Sequence, residues 1–148
     1  MSDKALYSPT AASLQEHDAP DWFLDAKFGI FIHWGPYSIP AFAPHKTAID
    51  KLDTTDEKQG FANTPYAAWY QNTMLFEDGE TAQYHADTYG ADYSYDRFGE
   101  AFNAALEAWD PVSWAQLFQR SGAGYVVLVT KHHDGFTLWP SDVENPNK

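Results

Sequence analysis

The residues with most chemical capacity in this 148-residue sequence are Lys131-His132-His133-Asp134, which directly follow the apolar or β-branched run Tyr125–Thr130. An apolar strand that releases polar groups at its C-terminal end is how open α/β sheets and α/β barrels present their sites. A single Lys or Asp there reads as an ordinary polar turn. Two adjacent histidines between a Lys and an Asp point to a site instead. A third histidine, His33, ends the run KFGIFIHWG (Lys27–Gly35), again with a glycine two residues on. Alone in an apolar strand it reads as a satisfied core residue, but its position repeats the pattern at His132. Neighbouring strand residues face opposite ways, so His132 and His133 converge only if the chain bends at Asp134-Gly135. His33, His132, His133 and Asp134 also offer nitrogen and carboxylate ligands. Zinc needs three or four convergent ligands, and adjacent strand residues diverge; no metal is expected.

The elements that position these groups follow from periodicity. Tyr125–Thr130 suits a strand buried on both faces. In the first strand Phe28, Ile30, Ile32 and Trp34 share one face, opposite Phe31 and His33. Asp110-Pro111 opens a helix with Trp114, Ala115, Leu117 and Phe118 as its buried stripe, and Gly122 ends it before the Tyr125 strand. Helix, glycine turn and strand form the second half of a βαβ crossover, which gives one long βαβ unit and about two parallel strands. Between the strands, Pro36–Pro44 reads as a proline-broken loop on the rim of the site, and His45–Asn63 as an exposed excursion. Thr64-Pro65 opens a helix with Tyr66, Trp69, Tyr70, Thr73 and Met74 on one face, for which core packing is the simplest role. Glu77–Tyr95 reads as an acidic, aromatic loop. Tyr95–Trp109 reads as a helix with Phe98, Ala101, Phe102, Ala105 and Leu106 on its apolar side. Residues 1–20 form a loose arm with one short helical turn, and Asp21–Asp25 a further turn.

Composition limits the function. A net charge of −12 argues against nucleic acid and anionic membranes as partners. Without cysteine, disulfides and thiolate metal sites are impossible. No apolar signal core opens the sequence and no run approaches a membrane span, so a cytoplasmic protein is expected. The aromatic share is 17%, with six Trp, nine Tyr and ten Phe; flat faces with polar tips lean towards carbohydrate.

KFGIFIHWG followed by PYSIPAF, AWYQNTM and DPVSWAQLFQRSGAGYVVLVTKHHDGFTLWPS resembles the glycoside hydrolase family 29 α-L-fucosidases, from about Trp22 to Ser141. HWG after a strand is weak alone, whereas KHHDGFTLWPS after a glycine-bounded helix is specific. The resemblance implies an α/β fold: the N-terminal portion of a (β/α)8 barrel, incomplete as a single chain. It divides the sequence into an arm (1–20), a partial catalytic domain (21–141) and a polar tail (142–148). It also implies retaining hydrolysis of terminal α-L-fucosyl linkages in glycans or glycosides, with no cofactor. His33, His132 and His133 match the family's fucose-contacting histidines. Trp69 matches a tryptophan that packs on the sugar.

Two departures stand out. Ala68 takes the place of a glutamate before that tryptophan. A complete barrel needs about 250 residues, and the family's aspartate nucleophile and glutamate acid/base lie beyond the equivalent of Lys148. A retaining glycosidase needs two carboxyl groups about 5–5.5 Å apart. Asp134 is the carboxylate best placed to substitute for one, its competing role being to cap the turn at Gly135. Glu77, Asp78 and Glu80 read as solvated loop charges. Three expectations follow: a truncated fucosidase that assembles as a homo-oligomer through exposed strand edges, a fucose-binding remnant without turnover, or one piece of a split enzyme.

Overall fold

The computed structural model describes residues 7–45 and 57–143. In chain order the elements are α1 (Ala11–Gln15), α2 (Asp21–Ala26), β1 (Gly29–Ile32), a 3-10 turn (Pro36–Ser38) and α3 (Glu57–Ala62). A second 3-10 turn (Ala67–Trp69) runs into α4 (Tyr70–Thr73), followed by α5 (Glu80–Tyr89), α6 (Arg97–Leu106), α7 (Pro111–Ser121) and β2 (Tyr125–Leu128). The described residues fall into two compact units, one of residues 7–30 and 112–127, the other of residues 31–45, 57–111 and 128–143. The strands form a two-stranded sheet. It is parallel, because the bonds climb both strands together, from Gly124 N–H to the Phe28 carbonyl (2.9 Å) and from Val129 N–H to the Ile32 carbonyl (3.0 Å).

In the first unit, the Thr10 hydroxyl accepts a hydrogen bond from the Ser13 amide at 3.3 Å and so caps α1. Trp22 and Phe23 on α2 bring their rings to 6.1 and 5.2 Å from the Tyr125 ring. That ring crosses the sheet where Gly29 has no side chain; a β-carbon at position 29 would fall on the Tyr125 ring atoms. Helix α7 starts at Pro111 and gives way to Gly122, which adopts φ +82°, as the helix–glycine–strand pattern predicts.

Several expectations are corrected. Strand β2 is four residues long and not buried on both faces: Val126, Val127 and Leu128 are 42–43% exposed. Among the described residues it pairs with one strand only, and a two-stranded ribbon cannot bury its own faces. On α7, Trp114 and Phe118 are half-buried, whereas Ala115 and Leu117 are exposed. The segment Glu77–Tyr95 is not a loop; it contains α5. The helix was illegible because its inward stripe is Thr81, Tyr84 and His85, residues that read as polar in a hydropathy pattern. Thr64 does not cap the following helix, since its hydroxyl donates to the Gly60 carbonyl of α3 at 3.1 Å. Of the face assigned to that helix, Tyr70 and Thr73 are buried, and Tyr66 is exposed. Residues 46–56 of the exposed excursion lie outside the described residues.

The second unit holds the core. Tyr37, Tyr70, Tyr95 and Phe98 are buried and packed together, with Phe98 5.7 Å edge-on to Tyr70 and 4.9 Å edge-on to Tyr89. Edge-to-face rings at such distances add attraction beyond their burial. Phe98 and Phe102 lie one turn apart on α6, and both face inwards as predicted.

Candidate active site

The site is assembled within the second unit, from the residues that follow both strands and from the 3-10 turn that leads into α4. His33 follows β1 directly, and its ring lies 5.3 Å from that of His132. His132 and His133 are 4.4 Å apart, and the Trp69 ring is 5.3 Å from His133. The four positions singled out in the sequence therefore form one continuous run of rings. Trp69 is backed by Phe61, stacked at 5.9 Å and 21°. Tyr37, read only as part of a rim loop, is buried in the 3-10 turn with its ring 5.3 Å from His132.

The histidine pair converges because the chain leaves the strand before reaching it. An antiparallel bridge joins Lys131 to Thr137, and the Leu138 amide donates to the Thr130 carbonyl at 2.8 Å. Within this closed loop the Gly135 amide donates to the His132 carbonyl at 3.0 Å, and Gly135 takes φ +76°. This is the bend that convergence required, at a residue that tolerates it.

Asp134 holds the turn. One carboxylate oxygen accepts from the Phe136 amide at 2.9 Å, and the other accepts from the Tyr95 hydroxyl at 2.7 Å. Asp134 is 3% exposed, so its carboxylate faces protein and not an open surface. Burial, and then the bond to Asp134, push the Tyr95 hydroxyl well above its ordinary value. It therefore remains a donor at any physiological pH. Position 95 sits at a predicted helix boundary, and no local signal linked it to Asp134 across 39 residues.

Burial lowers the pKa of His132, and the neighbouring His133 and His33 lower it further, against the opposing charge of Asp134. The neutral imidazole is thus favoured, with one donor and one acceptor nitrogen. Burial, assisted by Asp134, pushes the Tyr37 hydroxyl up to about 12. Among the described residues neither His132 Nδ1 nor the Tyr37 hydroxyl has a hydrogen-bond partner. No group of three or more His, Asp or Glu side chains among these residues has metal-holding geometry. Three imidazoles beside an indole face are suited to a neutral, polyhydroxylated ring with one apolar side.

A family model described as alpha-L-fucosidase matches residues 1–148. The chain is 39% identical to the α-L-fucosidase of Dictyostelium discoideum over 139 residues, covering 92% of this chain and 26% of that protein. It is 38% identical to human tissue α-L-fucosidase over 138 residues, covering 93% and 24%. Among solved structures, the Thermotoga maritima α-fucosidase in complex with fucose matches with a TM-score of 0.77 and 46% identity, covering 92% of this chain and 29% of that one. An α-L-fucosynthase of the same organism matches with a TM-score of 0.82 and 45% identity, covering 94% and 30%. The chain thus spans about a quarter of the length of these curated relatives.

Proposed function

Because this chain belongs to the α-L-fucosidase family, we propose that it carries the fucose-recognition part of a retaining α-L-fucosidase, with β1 and β2 as adjacent strands of a (β/α)8 barrel. His33, His132 and His133 bond the hydroxyls of a terminal α-L-fucosyl group, and Trp69 covers its apolar face. The observation that supports this is convergence: residues from positions 33 to 133 form one set of ring contacts at 4.4–5.3 Å. The test is calorimetric titration of the purified chain with L-fucose, beside turnover of an aryl α-L-fucoside. Binding in the millimolar range or tighter, reduced at least tenfold in His132→Ala, is expected. Undiminished binding by His132→Ala removes the assignment.

A second reading, recognition without cleavage, is favoured by one observation: Asp134 is enclosed and bonded through both oxygens. In this reading Asp134 shapes the turn and takes no part in bond cleavage. Fucose binding without aryl fucoside turnover supports it; turnover that survives in Asp134→Ala removes Asp134 from the chemistry under either reading. The exposed apolar strand β2 supports assembly with further copies of the chain. Light scattering on a size-exclusion column tests this, and a well-behaved monomer overturns it.

A further inference from the structure

Two buried polar atoms beside the histidines have no hydrogen-bond partner among the described residues: the Tyr37 hydroxyl and His132 Nδ1. They belong to neighbouring rings, 5.3 Å apart and inclined at 62°. The large majority of buried polar atoms in folded proteins are bonded, so two orphans on adjacent rings point to each other. The Tyr37 ring is held from behind. It is 3% exposed and packs with Tyr70, Tyr95 and Phe98. It also lies over the Gly35 backbone, where a β-carbon would stand 3.2 Å from its Cε1. The 3-10 turn that carries it is closed at both ends of one bond pair. The Ser38 amide donates to the Gly35 carbonyl at 2.8 Å, and the Gly35 amide donates to the Ser38 hydroxyl at 3.2 Å. The Tyr37 hydroxyl therefore has a fixed place. His132 is half-buried with Nδ1 enclosed, so Nε2, on the far side of the ring, is the nitrogen that can meet a ligand.

The chemistry of the two groups fixes the direction of a bond between them. A neutral imidazole has one N–H and one acceptor nitrogen, and a hydroxyl can give or take. If the hydroxyl donates to Nδ1, one bond satisfies its hydrogen and the nitrogen lone pair together. If Nδ1–H donates instead, the hydroxyl hydrogen stays orphaned in the core, which is costly. Burial and Asp134 keep the hydroxyl protonated, while burial, His133 and His33 keep the imidazole neutral. Both groups are thus in the forms this bond needs.

We propose that Tyr37 is a positioning residue: its hydroxyl donates to His132 Nδ1, so the imidazole proton stays on Nε2 and His132 offers a ligand a donor, not an acceptor. The two atoms are not bonded in the structure, and a small rotation of His132 within the ring contact makes the bond. This rests on the fucose-recognition reading above for the identity of the ligand. It adds what His132 gives that ligand, an N–H to the lone pair of a hydroxyl.

The experiment is nitrogen NMR of the full chain carrying isotopically labelled histidine, which reads the tautomer of each imidazole without any ligand, beside calorimetric titration with L-fucose. Near neutral pH, His132 is expected wholly as the Nε2–H form. In Tyr37→Phe, which keeps the ring and removes the hydroxyl, the Nδ1–H form is expected to appear. L-fucose is expected to bind that variant about three- to tenfold more weakly, the worth of one hydrogen bond. If Tyr37→Phe fails to fold, two variants of His132 decide. His132→Gln brings an amide nitrogen near the Nε2 position, and His132→Asn brings one near Nδ1. The first is expected to keep L-fucose binding within about threefold, and the second to lose about tenfold or more. His132 found as Nδ1–H in the natural chain overturns the proposal, as does an unchanged tautomer in folded Tyr37→Phe. Equal L-fucose binding by the two His132 variants overturns the donor role of Nε2. An Nε2–H form that depends on Tyr37, in a chain that does not bind L-fucose, supports the positioning and overturns the fucose reading.

Discussion

Phe98 and Val127 are both apolar side chains in regular structure, yet Phe98 is fully enclosed and Val127 is 43% exposed. Phe98 lies on a helix whose neighbours in the unit are rings: Tyr70, Tyr89, Tyr93 and Tyr95 surround it at 4.9–5.8 Å. Val127 lies on a strand that among the described residues has one partner. Hydrogen-bonded pairing satisfies a backbone but does not cover side chains; a second layer does that. A fully apolar strand sequence therefore reports a demand for cover, and a helix with polar-looking tyrosines can be where cover is achieved.

Four outcomes would break or sharpen this contrast. The largest effect belongs to the aromatic cluster: Phe98→Ala is expected to destabilise the chain by about 3–5 kcal/mol, since the rings around it cannot close the cavity. Urea unfolding followed by tryptophan fluorescence measures it, and a loss below about 1 kcal/mol would mean the cluster is not the core. Next, Tyr95→Phe keeps the ring and deletes the bond to Asp134, for an expected loss of about 1.5–3 kcal/mol, typical of a hydrogen bond to a charged group. The histidine resonances of residues 132 and 133 should shift in the same variant, because the turn that carries them is released.

The third outcome concerns pH. The folded pKa of His132 is lowered from the ordinary 6.5, so on acidification the unfolded chain takes up this proton first. Stability contributed by the neutral imidazole is present above pH 6.5 and declines as pH falls through 6.5 towards the folded value. Urea midpoints at pH 7.5 and 5.5 should differ less for His132→Gln than for the natural chain; an unchanged difference would assign the slope elsewhere. The smallest effect is expected at Val127→Ala, about 0.5 kcal/mol or less, as for other exposed positions. A loss several times larger, growing with protein concentration, would show β2 covered by another copy.

The candidate site was legible where chemistry is local. Lys131-His132-His133-Asp134 after an apolar run, and His33 after another, identify strand ends by residue type alone. Trp69 was assigned by resemblance. Tyr37 and Tyr95 were not visible as parts of the site. Tyr37 reaches the histidines from a proline-rich loop, and Tyr95 bonds a residue 39 positions away. Helix α5 was missed because a buried stripe of Thr81, Tyr84 and His85 carries no hydrophobic period. Two of the three are bonded there, His85 to Tyr70 and Tyr93 and Tyr84 to the Pro40 carbonyl, whereas the buried Thr81 hydroxyl has no hydrogen-bond partner among the described residues.

Sequence by itself determined where the two strands lie, the existence of helix α6, helix α7 with its Pro111 and Gly122 boundaries, and the kinds of groups gathered at the candidate site. These depend on neighbours within one helical turn or one bend. Tertiary structure decided the rest. Among the described residues it left β2 partly exposed, enclosed Asp134 against Tyr95, and set His132 beside Tyr37. Each of these depends on residues brought together from tens of positions apart. Exposure and hydrogen bonding at such distances are properties of the packed chain, and no local pattern encodes them.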